Sequence, residues 1–382
     1  MADFVLKISP QVVLGSYSCA RIGHYAAEWG TRYMVIMDPS LKEFDIYKKV
    51  QTALTDKRID FFVFDDIPPA PDTTIIERAL KLARDAHIHG ILAVGGVKTA
   101  NVARATAALY YEVHSVYDFL DGSKFSTSAL PLIVVSTTMR DSLLFTDKLL
   151  ITDGRSRQLR NLQTQSNLCK TVIFDPNVTI SLTETQKSSI LLQTLCLAIE
   201  GYVSQKANFF SNTLIEQAIG MLADNLNALI GMNGTVYSDQ SFAQAGYLTS
   251  LGVGVSSLGP ASLLALTINA RYKIDRSIVT CILMPYFIEE VVNYKSDKLV
   301  KIADLLHFSL NDKDSNSLGY VLGDFIRNKI AMAKLPTRLK DLSLSIEQLA
   351  LAVEDAASLD YMSGLPRSMS SDDLFELVKQ AY

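Results

Sequence analysis

The chain changes its hydropathy pattern part-way along, and that change limits what it can fold into. Up to about residue 178, the continuous apolar runs RYMVIM (32–37), DFFVF (60–64), GILAV (90–94) and LPLIVV (130–135) alternate with segments of helical spacing. A strand that is apolar at every position is covered on both faces, as in a parallel sheet rather than a half-exposed antiparallel one. The intervening CARIGHYAAEWG, SLKEFDIYKKVQTAL and DTTIIERALKLARDA carry apolar residues at helical intervals. Alternating strand and helix predicts a parallel, Rossmann-like sheet with crossover helices. The proline-rich FDDIPPAPDT (64–73) predicts a loop ending in a helix cap at Asp72 or Thr73.

Beyond DPNVTISLTETQ (175–186) the strand-like runs largely stop, and LLQTLCLAIEGYVSQ, TLIEQAIGMLADNLNALIG, IVTCILMPYFIEEVVNY, KLVKIADLLHF, LGYVLGDFIRNKIAMA and SIEQLALAVEDAASL all have helical periodicity. SSDDLFELVKQAY adds a capped final helix. The reading is an α/β N-terminal domain over 1–178 followed by an all-α C-terminal helical domain over 179–382. In such a build the cleft between the halves is the expected binding site.

A chain of 382 residues with 48% apolar residues has material for two cores. The net charge of −4 and the lack of a Lys/Arg-rich run argue against a nucleic-acid partner. Residues 240–270 carry no charge, but interruptions at Gly252, Gly254, Gly259 and Pro260 and many Ser, Thr, Gln and Asn residues predict buried core helices rather than a membrane span. Cys19, Cys169, Cys196 and Cys281 are far apart and form no C-x-x-C. That spacing, with an N-terminus lacking a signal-peptide pattern, predicts a cytoplasmic protein.

The stretch AVGGVKTANVARATAAL (93–109) reads as a strand end, a double-glycine turn and an alanine-rich helix, a layout that cradles a pyrophosphate. Val97 and Lys98 stand where such turns usually have small residues. No G-x-S-x-G, H-E-x-x-H or P-loop lysine motif is present.

With VVLGSYSCARIGHYAAEWG and MVIMDPS, then GILAVGGVKTANVAR, PLIVVSTT, VIFDPNVTISL, LAIEGYVS, ILMPYF and LPRSMSSDDLFEL in this order, the chain resembles the iron-containing alcohol dehydrogenase family, within the dehydroquinate synthase-like fold. The resemblance implies NAD in the N-terminal domain, a homodimer, and a divalent metal in the helical domain that lowers the pKa of an alcohol while hydride moves to nicotinamide. It assigns nucleotide contacts to Asp38, Gly95, Gly96, Lys98, Asn101, Thr137 and Thr138. Asp38 would accept from a ribose hydroxyl and repel a 2′-phosphate, or else cap the next helix. Lys98 and Arg104 would add positive charge near the helix N-terminus, or be solvated. The glycine-rich second loop of the family is replaced by MRDSLLFTD.

The resemblance places the metal ligands, one Asp and three His, at Gln193, Leu197, Ser262 and Arg276. None is the expected residue, and Leu197 has no donor atom. Of five histidines, His24, His87, His89, His114 and His307, only the last lies beyond residue 175, so no shift of register restores a multi-histidine site there. His87 and His89 do not share a helix face and are expected at the surface. Gln193 and Ser262 are expected to hydrogen-bond within the helices, and Arg276 to form a salt bridge or hold an anion. The expectation is a member of the family without catalytic iron or zinc, keeping a small-molecule or nucleotide ligand. The alternative is an NAD-dependent alcohol or aldehyde oxidoreductase working without the usual metal.

Overall fold

The structure is a computed structural model that describes residues 8–230, 237–308 and 315–382. The chain forms two compact units, Met1–Ser181 and Leu182–Tyr382.

The first unit runs β1 (Gln11–Leu14), α1 (Ile22–Ala27), β2 (Arg32–Met37), α2 (Asp45–Thr55), β3 (Asp60–Phe64), α3 (Thr73–Asp85), β4 (Gly90–Gly95), α4 (Val97–Leu109), α5 (Val116–Leu120), β5 (Leu132–Ser136), β6 (Lys148–Thr152), β7 (Leu159–Gln163) and β8 (Cys169–Phe174). Six strands form one sheet in the order β1-β8-β5-β4-β2-β3. All its pairings are parallel. Every residue of β4 and β5 is buried, which is why those segments read as unbroken apolar runs.

Several boundaries differ from the sequence reading for local reasons. The strand at LPLIVV begins at Leu132, because Pro131 has no amide to donate; its carbonyl accepts from Ile91 N at 2.9 Å. The helix expected over 40–54 is a short 3₁₀ turn at Pro39–Glu43, an extended Phe44 (φ −108°, ψ 155°) and then α2. The antiparallel pair β6–β7 was not read from the sequence, since LRNLQ is half-polar and only Leu159 in it is buried. Asp72 is the cap of α3, accepting from Thr74 N at 3.0 Å.

The second unit comprises α6 (Glu184–Val203), α7 (Phe209–Ile230), α8 (Asp239–Gly254), α9 (Pro260–Tyr272), α10 (Arg276–Leu305), α11 (Ser315–Met332), α12 (Ile346–Ala357) and α13 (Ser371–Ala381). It has no strand among the described residues. Thr183–Gln186, Ser345–Gln348 and Ser370–Asp373 form reciprocal capping boxes that start α6, α12 and α13. The uncharged stretch is the pair α8 and α9, broken where Gly259 caps α9 and Pro260 takes its first position. No helix among the described residues is long and apolar enough to cross a membrane. The segment KLVKIADLLHF is not a separate helix: α10 continues into it through Lys295, whose backbone (φ −135°, ψ 34°) marks a kink.

Candidate functional site

In the sheet of the first unit, Met37 at the end of β2 pairs with Val94 of β4. From β2 the chain moves outward to β3, whereas from β4 it moves the other way to β5. Strand order therefore reverses between β2 and β4, and in open parallel sheets ligands sit outside the carboxyl ends at such a point. Asp38 follows β2, while Gly95 ends β4 and Gly96 caps α4.

Both glycines are demanded by close approach. A Cβ on Gly95 would fall 2.6 Å from Thr99 Oγ1, and one on Gly96 would fall 3.0 Å from Thr138 Cγ2. Among the described residues no side chain caps the start of α4, so this thirteen-residue helix offers an anion its backbone donors and the positive end of its dipole. Thr137 N donates to Gly95 O at 3.0 Å, which brings Thr137 and Thr138 against the turn. Asn101 sits one turn further along, half-buried, and its Oδ1 has no hydrogen-bond partner among the described residues. Thus all seven residues assigned to the nucleotide lie around one strand-to-helix turn and the ends of its two neighbouring strands.

Asp38 does cap the turn that follows it. Its Oδ1 accepts from Ser40 N at 3.1 Å and from Ser40 Oγ at 2.8 Å. Lys98 Nζ lies 3.3 Å from Asp38 Oδ2, so this cation is paired rather than solvated. Arg104 departs from both sequence expectations. It is 3% exposed, and its Nη2 donates to the carbonyls of Leu143, Thr146 (3.4 Å) and Lys148 (2.6 Å). The reason is helical phase: at that position α4 faces the segment leading into β6, not the turn. The second loop is likewise filled by its own side chains. Met139, Arg140, Asp141, Leu143, Leu144 and Phe145 are all buried, and Asp141 accepts from Leu143 N at 3.0 Å.

In the second unit, the positions that the resemblance assigns to the metal lie on α6 and at the starts of α9 and α10. Gln193 Oε1 accepts from Ser277 Oγ at 2.9 Å, and its Nε2 donates to Thr280 Oγ1 at 3.4 Å. Ser262 donates through its hydroxyl and, at 3.1 Å, through its amide to the carboxylate of Glu200. Leu197 offers only carbon, and Arg276 opens α10 beside the capping Asp275. A dication needs several free lone pairs converging on one point. One apolar side chain, one guanidinium, an amide already bonded to α10 and a hydroxyl already bonded to Glu200 do not fit that requirement. Among the described residues no three His, Cys, Asp or Glu side chains are grouped so as to hold a metal ion. His307 is exposed beside Asp224 at 3.2 Å, and His87 and His89 are exposed.

Glu200 was not singled out from the sequence, although a carboxylate set within LAIEGYV on a helix signals burial. It is fully buried, and a Cβ on Gly259 would fall 2.6 Å from its Oε1. Burial pushes its carboxyl up to about 7, against the opposing pull of bonds from the Ser262 hydroxyl and the amides of Ser262, Ala261 and Gly259. The carboxyl thus binds the first turn of α9 to the last turn of α6. All four cysteines are buried and free. Burial pushes the Cys169 thiol up to about 12 and raises that of Cys196 well above its ordinary range. Neither is an activated nucleophile.

Comparison with known proteins bears on the fold of both units. The family described as iron-containing alcohol dehydrogenase matches residues 9–176, and its C-terminal family matches residues 190–382. The chain is 20% identical over 355 residues to 1,3-propanediol dehydrogenase of Citrobacter freundii, covering 92% of each. It is 22% identical over 354 residues to alcohol dehydrogenase 4 of Saccharomyces cerevisiae, covering 91% of this chain and 90% of that protein. It is 20% identical over 396 residues to NADH-dependent butanol dehydrogenase A of Clostridium acetobutylicum, covering all of both. Its fold matches the crystal structure of a 1,3-propanediol oxidoreductase with a TM-score of 0.91 at 19% identity, over 100% of both chains. With the α/β unit, the helical unit and both family regions in register along nearly its whole length, this chain belongs to the iron-containing alcohol dehydrogenase family.

Proposed function

We propose that this member of the family keeps a dinucleotide-binding turn but no longer carries out metal-dependent hydride transfer, and that it acts as a cytoplasmic binding, regulatory or assembly protein. The observation that carries the reading is the set Gln193, Leu197, Ser262 and Arg276, which lacks the donors a divalent metal requires. Support comes from the hydrogen bonds that engage Gln193 with α10 and Ser262 with Glu200. Nucleotide binding is supported by the uncapped start of α4 and the close-packed Gly95–Gly96 turn at the reversal of strand order. NAD is the cofactor this reading favours, in keeping with the NADH dependence named for the butanol dehydrogenase relative.

Calorimetry with NAD, NADH and ADP-ribose tests the nucleotide part. Saturable binding of all three is expected, while no heat with any of them would reduce the turn to a structural relic.

A second reading is favoured by the relatives, which are named as dehydrogenases. In it the chain is an NAD-dependent alcohol or aldehyde oxidoreductase that works without the usual metal, Arg276 polarising the carbonyl. Turnover in the wild type that disappears in Arg276→Ala would support this reading, and an inactive wild type across alcohols and aldehydes would oppose it.

A further inference from the structure

The ribose end of the nucleotide turn differs from what an NAD-selective site requires. Selectivity for NAD rests on an acidic side chain at the end of a strand, which accepts from the ribose hydroxyls and repels a 2′-phosphate by its charge. Asp38 stands at that place but is not an isolated anion. Its Oδ1 already accepts two hydrogen bonds from Ser40, and its Oδ2 lies 3.3 Å from Lys98 Nζ. The pair has no net charge where the selective site has −1. Oδ2 retains a lone pair for a ribose hydroxyl, so an unphosphorylated ribose is still accepted.

Lys98 is also well placed to change partners. It is the second residue of α4, on the helix whose N-terminus faces the same strand ends as Asp38. Its side chain is 31% exposed, against 14% for Asp38, and pairs with it at 3.3 Å, so the ammonium is within reach of a ligand arriving from solvent. A phosphomonoester at the 2′ position carries nearly two charges and would draw the ammonium more strongly than one carboxylate does.

We infer that Lys98 is a specificity-determining residue that cancels the discrimination of Asp38, so that the turn takes 2′-phosphorylated and unphosphorylated adenine dinucleotides alike. The inference rests on the nucleotide reading above. Lys98 acts at the ribose rather than at the pyrophosphate, which the amides of α4 receive.

The test is calorimetry of the full chain with ADP-ribose and with 2′-phospho-ADP-ribose, for the wild type, Lys98→Gln and Asp38→Asn. In the wild type the two affinities should agree within about tenfold, a difference of some 1.4 kcal/mol. Lys98→Gln should weaken the 2′-phosphorylated ligand about ten- to a hundredfold more than it weakens ADP-ribose. Asp38→Asn should strengthen the 2′-phosphorylated ligand alone. A wild type that binds ADP-ribose but rejects 2′-phospho-ADP-ribose overturns the inference and leaves the nucleotide reading standing. Equal weakening of both ligands in Lys98→Gln also overturns it, by placing the lysine at the pyrophosphate. Binding of neither ligand overturns the nucleotide reading and this inference with it.

Discussion

Glu200 carries more of the helical unit's organisation than its place in an apolar helix suggests. Its carboxyl, with a folded value near 7 against an ordinary 4.5, keeps its proton in the native chain at pH values where the unfolded chain has lost it. The native state therefore binds more protons than the unfolded state between these two values, and stability falls as pH rises through that window. Denaturant midpoints should drop between pH 5 and pH 8 more steeply for the wild type than for Glu200→Gln; parallel slopes would contradict this account of the carboxyl. At Gly259 the missing side chain matters, since a Cβ would meet Glu200 Oε1 at 2.6 Å. Gly259→Ala should cost about 1–3 kcal/mol, read as a lowered thermal midpoint, because the carboxylate is held by Ser262 and cannot swing aside freely. The pairing of Glu200 with Ser262 was not legible in the sequence. The burial of Glu200 could be guessed from its neighbours, but its partner is 62 residues away.

Among the elements, those with strong periodicity or long apolar runs were readable. The strands at 32–37 and 60–64 lie where their runs predict, and α3, α8, α9 and α13 follow from their caps and glycine or proline breaks. The β6–β7 hairpin was not readable, because it is held from outside itself. Arg104 of α4 reaches across to the carbonyls of Leu143, Thr146 and Lys148, and Leu149 and Ile151 of β6 pack in a cluster with Ile76, Leu80, Ala105 and Leu109 of α3 and α4. Arg104→Leu would leave those carbonyls buried without their donor, at a cost of about 2–4 kcal/mol. Hydrogen exchange should then quicken first over residues 142–152. Unchanged exchange there, with the loss spread over the whole unit, would mean that the arginine does not anchor this segment. The same burial explains why the positive charge expected near the nucleotide turn reduces to Lys98 alone.

For the whole molecule, family membership was readable because it rests on ordered motifs spread over both units, and the parallel sheet and the helical region followed from the change in hydropathy near residue 178. The proposal of a missing metal site rests on a different kind of reading: a count of histidines does not depend on alignment, and only one of the five lies beyond residue 175. What the sequence left open is how those positions are used instead. Gln193 joins α6 to α10 and Ser262 joins α9 to α6, the helices on which the resemblance places the metal ligands. The helical unit should therefore hold together without an ion, and its thermal midpoint should be the same with a chelator as with added zinc or ferrous iron. The most direct measurement of the central proposal is elemental analysis of protein purified without chelator from iron- and zinc-supplemented cells, with NAD reduction by short alcohols and diols assayed on the same sample. The account predicts neither metal in stoichiometric amount and no turnover; near-stoichiometric iron or zinc accompanied by NAD reduction would contradict it.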